Sequence, residues 1–250
     1  MDWYLSWQVD DYVELNDEQE VEFEQAIESF KAWHKTNELP RYQSLLLDIQ
    51  TAVSTKDPIL METVFKSSRD IWMRSANYIA PNVALLLDKL SMEQKQQLLV
   101  NIKNKQQTAH EKWIEEREEP ESDKLKDSIE RLEEQVGQLS SQQKVRYSEN
   151  WSKMQSTLEH RIESRENWLS QMTQALTANN KVDQLLVVTL LTDFNSYRST
   201  KHQALITANQ QQYLTFIMAE LPQLTEKQQT KVLTTVNEYL EDITYLIEES

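Results

Sequence analysis

The chain of 250 residues contains no cysteine and a single glycine. Without cysteine there is no disulfide scaffold, no thiolate metal site and no cysteine nucleophile. With one glycine there is no Gly-rich phosphate loop, no dinucleotide fingerprint and too few turn residues for a β-sandwich. Proline is scarce too, at five residues. Basic residues are outnumbered, 26 Lys and Arg against 41 Asp and Glu, for a net charge of −15. A field of that sign repels phosphate backbones and anionic headgroups, so nucleic acid is not expected as a partner. No apolar run reaches the ~18 residues that a membrane-spanning helix needs. The opening Met1-Asp2-Trp3-Tyr4 has neither the basic nor the apolar region of a secretory signal.

What remains is core material at helical spacing. Hydrophobic residues make up 39%, and seven Trp, nine Tyr and five Phe add bulk. Trp3, Tyr4, Trp7, Val9 and Tyr12 predict a first helix over Asp2 to Val13. Asn16 opens the next, where Phe23, Ala26, Ile27, Phe30 and Trp33 share a face. Pro40 and Asp57-Pro58 are helix starts, and Pro81 reads as a stop. Leu125, Ile129, Leu132, Val136 and Leu139 form a short a/d seam, the arm of a helical hairpin, with Gly137 as its left-handed C-cap. Leu185 to Leu191 are apolar nearly all round, which marks a buried helix. The expected fold is all-α, an elongated multi-helix bundle, read either as two sub-bundles or as one continuous domain. In the first reading residues 1–114 form one sub-bundle, the acidic stretch 115–123 is a linker, and residues 124–250 form the other. Six acids and Pro120 in that stretch oppose a packed helix.

Four segments share a spelling: Leu15 to Gln19, Leu90 to Gln94, Leu139 to Gln143 and Leu224 to Gln228. Each has Leu, then Asn, Ser or Thr, two further residues and Gln. This is the capping box, in which the small polar side chain and the Gln three residues later satisfy each other's backbone amides. Each box marks a helix start and stabilises it by about 1 kcal/mol. The intervals of 75, 49 and 85 residues are too unequal for a solenoid. The same spelling resembles the Leu-Thr-x-x-Gln signature of small helical periplasmic chaperones.

Catalytic signals are missing. His34, His110, His160 and His202 stand apart, without the spacing of metal ligands, and no cofactor or metal is expected. The densest cluster joins Trp7, Asp10, Asp11 and Tyr12 to Trp33, His34, Arg41 and Tyr42. Asp10 or Asp11 is expected to pair with Arg41 or to orient His34, as a structural clamp or as the rim of a partner-binding cleft. A dyad of His34 with either Asp would still lack a nucleophile.

The same residues carry a family resemblance. Asp2-Trp3, Trp7, Asp10-Asp11-Tyr12, Leu15 and Gln19 resemble the start of an uncharacterised family of proteobacterial lipoproteins. Trp33-His34 with Glu38-Leu39-Pro40-Arg41-Tyr42 resembles its second block, and Gly137, Gln143, Arg161, Arg165, Gln228 and Asp242 its later positions. The resemblance implies a signal peptide and lipidated cysteine upstream, with Met1 as an engineered start, and a helical body in the periplasm held to the outer membrane. It implies no activity. The expected function is therefore non-catalytic: binding or assisting another envelope protein, with membrane contact only through the lipid anchor. An envelope enzyme acting on peptidoglycan or lipid, and a cytosolic helical scaffold, are the rival readings.

Overall fold

A computed structural model describes residues 11–178 and 181–248. The expected helix over Asp2 to Val13 falls mostly outside them, and Asp11 and Tyr12 sit in a turn. Among the described residues the fold is all-α, with ten helices and no strand. They are α1 (Asp17–Asn37), α2 (Leu39–Thr55), α3 (Pro58–Lys89), α4 (Met92–Glu118), α5 (Glu121–Val136), α6 (Ser141–Trp151), α7 (Leu158–Thr177), α8 (Gln184–Thr192), α9 (Thr200–Glu220) and α10 (Glu226–Glu248). A short 3-10 turn, Leu221–Gln223, separates the last two. No helix among the described residues is long and apolar enough to cross a membrane.

Two compact units emerge, and they do not follow the chain as two blocks. The first takes the described residues up to His34, then Met73–Arg117 and Thr157–Gln203. The second takes Lys35–Trp72, Glu118–Ser156 and the chain from Ala204 onward. One crossing between the units, from Arg117 to Glu118, falls within residues 115 to 123, and four others interleave them. Most of the acidic stretch is helical, as the end of α4 and the start of α5. Glu121 and Asp123 fall in the first turn of α5, where the helix dipole favours negative charge.

The first unit is organised around Ala84, Met172, Ala175, Leu176, Val182, Val187 and Leu190, with Trp168 and Leu186 packed against them. The apolar run 185–191 supplies Val187 and Leu190 to this core, while Leu185 faces outward at 78% exposure. Asp88 caps the approach to α8 by accepting from the Val182 amide at 3.0 Å. Pro81 does not stop α3, which runs on to Lys89. Ala80 and Ala84 on either side of it are fully buried, so packing holds the helix together across the missing hydrogen bond.

In the second unit α2 and α10 run antiparallel. Gln43 donates to Thr244 at 2.9 Å, Gln50 to Asn237 at 2.7 Å, and Gln229 to the Val53 carbonyl at 2.8 Å. The seam residues of α5 pack on α6 and α10. That helix ends at Gly137, which has φ +83° and ψ 176°. The φ is left-handed but the ψ is extended, a region open to glycine alone.

Candidate functional site

All four capping boxes form. In each, the Gln Oε1 accepts from the cap amide: Gln19 from Asn16 at 3.0 Å, Gln94 from Ser91 at 2.9 Å, Gln143 from Ser140 at 3.0 Å and Gln228 from Thr225 at 3.0 Å. The cap side chains return the bond to the Gln amides at 3.0 to 3.3 Å. Fixing Oε1 in this way fixes each amide group's orientation, and the Nε2 donors are left for other work.

They pair the boxes. Gln19 and Gln94 exchange Nε2–Oε1 bonds of 3.1 and 2.7 Å in the first unit. Gln143 and Gln228 exchange two of 3.1 Å in the second. The second Nε2 hydrogen reaches the carbonyl just before the partner box's leucine: Gln19 to Lys89, Gln94 to Glu14 and Gln228 to Gln138, at 2.7 to 3.1 Å. Gln19, Gln143 and Gln228 are buried. Each unit is thus registered by one amide pair that ties two helix N-termini together.

An apolar cleft lies against each pair. In the first unit it measures about 240 Å³ and is walled by Leu15, Phe23, Val83, Leu86, Leu87, Leu90 and Leu98 beside Gln19. In the second it measures about 190 Å³ and is walled by Leu139, Ile217, Leu221, Leu224 and Val232 beside Gln143. Counted from the leucine of the later box, Val83, Leu86, Leu87, Leu90 and Leu98 match Ile217, Glu220, Leu221, Leu224 and Val232 position for position. Tyr12 and Val136, each three residues before the earlier box's leucine, also match. The two clefts thus share a common set of positions with one polar substitution, Glu220, which Arg146 holds through a two-pronged ion pair; Glu22, Phe23 and Lys89 line the first alone of the two, and Ile49, Val53 and Met61 the second.

The sequence-derived cluster is described in part. Trp7 and Asp10 lie outside the described residues. Asp11 binds Lys105 at 2.8 Å, and the same ammonium sits 4.0 Å from the Tyr12 ring centre. The Asp11 hydrogen bond raises Lys105 above its usual value. Trp33 stacks on Tyr78 at 4.1 Å and 13°, and His34 meets the Phe30 ring at 5.5 Å. Arg41 belongs to the other unit, as does half-buried Tyr42, and its guanidinium lies 4.0 Å from buried Glu38, three residues earlier. Asp11 and Arg41 have therefore each taken another partner. Tyr12 lines a cleft, the one in the first unit.

One buried histidine was not singled out by spacing. His202 is 4% exposed and lies 2.6 Å from the Ser164 hydroxyl. Burial lowers its pKa, and the charges of Arg198 and Arg161 lower it further. Among the described residues no three His, Asp or Glu side chains gather as a metal site.

Comparison with curated proteins and with solved structures finds no match. A family model does match, over residues 11–203, a span that holds both boxes of the first unit and the earlier box of the second. The chain belongs to DUF6279, a family of unknown function.

Proposed function

We propose that this protein is a non-catalytic binding module of the cell envelope, a periplasmic lipoprotein held to the outer membrane, that receives apolar side chains of another envelope protein. The observation that carries this reading is the duplicated apolar cleft. Two half-open clefts of about 240 and 190 Å³, with almost no polar lining, suit side chains better than a polar substrate. Gln19 and Gln143, which line them, have their hydrogen bonds already made, and the carboxylates of Glu22 and Glu220 are held in ion pairs by Lys89 and Arg146, which argues against acid–base or nucleophilic work. The envelope address rests on the likeness of residues 2 to 42 to the lipoprotein family.

Photocrosslinking in intact cells tests it, with a photoreactive residue placed at Leu86 or Ile217. Crosslinks to one envelope protein are expected, and Val83→Phe, which fills the first cleft, should remove those from Leu86 while leaving the melting midpoint near the parent's. Crosslinks untouched by the filled cleft would refute the reading. So would a His34→Gln protein that folds normally yet fails to complement a deletion strain, since a binder does not need that imidazole.

A further inference from the structure

Trp113 on α4 carries two arginines. The Arg161 guanidinium lies 4.9 Å and that of Arg165 4.5 Å from its ring centre. The two are one turn apart on α7, so like charges share a single indole. Desolvation, and next the Arg161 charge, pulls Arg165 below the usual guanidinium value. Neither arginine forms an ion pair among the described residues, although the chain has 41 acids to offer. Of the carboxylates on α7, Glu159 is engaged by Arg117 at 3.7 Å and Glu163 by His160 at 3.3 Å, while Glu166 stands beside Arg165. Beside the indole is a pocket of about 110 Å³ with mixed lining: Lys103, Gln106, Gln107, His110 and Arg165 as its polar side chains, Glu166 as its one carboxylate, and Ile162 and Leu169 with Trp113 as its apolar wall. Lys103, Gln106, His110 and Trp113 recur at helical spacing, so one face of α4 presents an ammonium, an amide and an imidazole toward it.

In a chain of net charge −15, two guanidiniums without an ion pair among the described residues, joined by Lys103 against the single carboxylate of Glu166, form a local reversal of sign. Stacking on indole holds a guanidinium flat and leaves its N–H edge free, the geometry that grips a tetrahedral oxyanion through paired hydrogen bonds. The pocket is far below the ~300 Å³ of a small-molecule site, so it fits a charged group and not a whole nucleotide. One such pocket also cannot track a nucleic-acid backbone, which needs phosphate contacts in series.

We propose that Arg161, Arg165, Lys103 and His110 form an anion site for a single phosphoryl group, whether a phospholipid headgroup or a soluble phosphate supplies it. The site stands on its own residues and does not depend on what fills the apolar clefts.

Calorimetric titration of the full chain with inorganic phosphate and with pyrophosphate, joined to flotation with vesicles of phosphatidylglycerol or of phosphatidylcholine alone, tests the proposal. Saturable phosphate or pyrophosphate binding is expected, weakened at least tenfold in Arg161→Gln/Arg165→Gln and less in Arg165→Lys, which keeps the charge and loses the fork. Flotation with phosphatidylglycerol vesicles that the double variant abolishes assigns the group to a headgroup; binding of the soluble ions alone assigns it to a soluble phosphate. Equal binding by parent and double variant, a preference for citrate or a glutamate-rich peptide over phosphate, or no binding in any arm overturns the proposal. Both arginines are exposed, so the double variant should keep the parent's circular dichroism and melting midpoint; a variant that loses them is replaced by Trp113→Leu, for which the same loss of phosphate binding is required.

Discussion

Replacing Gln228 by alanine is expected to cost the protein about 3 kcal/mol or more. The side chain is 2% exposed and makes four hydrogen bonds, to the Thr225 amide, the Gln138 carbonyl and both polar atoms of Gln143. Truncation leaves three partners short of a bond: the Thr225 N–H, the Gln138 carbonyl and the Gln143 amide group. The buried Gln143 group costs roughly 1 to 3 kcal/mol when orphaned, the Thr225 and Gln138 groups of exposed residues about 0.5 to 1 kcal/mol each, and water entering the vacated space offsets part of the total. Gln143→Ala should cost a similar amount. Because the two side chains serve each other, the double variant should be less destabilised than the two singles added together, by about 0.5 to 3 kcal/mol. Gln228→Glu separates the two roles of the residue. A glutamate still accepts from the Thr225 amide, but it cannot donate to Gln138 and sets a carboxylate against Gln143 Oε1. It should therefore preserve the box and lose the pairing. Urea unfolding followed by circular dichroism measures all four proteins. A loss below 1 kcal/mol for Gln228→Ala, strict additivity, or a Gln228→Glu protein as stable as the parent would refute the reasoning.

Gly137→Ala should destabilise by about 1 to 3 kcal/mol, read as a lower melting midpoint, because φ +83° with extended ψ strains any residue with a Cβ. Space is not the obstacle, since an added Cβ would meet only Lys231 at 3.9 Å; a midpoint equal to the parent's would contradict the assigned strain. His202 should make stability fall on acidification. Its folded pKa is lowered, so the unfolded chain binds the extra proton; the contribution is complete above the ordinary value of 6.5 and is lost as the pH falls below it. Urea midpoints from pH 8 to pH 5 should decline less steeply in His202→Gln, and equal slopes would count against that assignment.

The local parts of this fold were readable, because capping is decided within five residues. Asn16, Ser91, Ser140 and Thr225 open helices, as their spacing predicts. What joins Gln19 to Gln94, 75 residues away, is a long-range fact with no period to expose it. A signal was present nonetheless. Glutamate closes a capping box as well as glutamine does, yet all four boxes use glutamine, the one choice that keeps two donors in hand. Pro81 misled for the opposite reason. Local chemistry reads it as a break, whereas burial of Ala80 and Ala84 makes helix the better state; Pro120 does separate two helices, α4 and α5. Likewise, nothing near Asp11 in the chain points to Lys105 over Arg41 as its partner.

The amide pairs that register the two units contain no group that titrates and no net charge. Ion pairs in the same places would weaken with salt and fail as acid protonated their carboxylates. The exposed ion pairs of this chain, such as Lys66 with Glu62 or Lys126 with Glu130, are open to both effects. Gln19 with Gln94 and Gln143 with Gln228 are indifferent to them. Helix registration here is thereby decoupled from the ionic medium. The surface can carry a large excess of one sign and respond to its surroundings, while the frame beneath it keeps one geometry in fresh water, brine or mild acid.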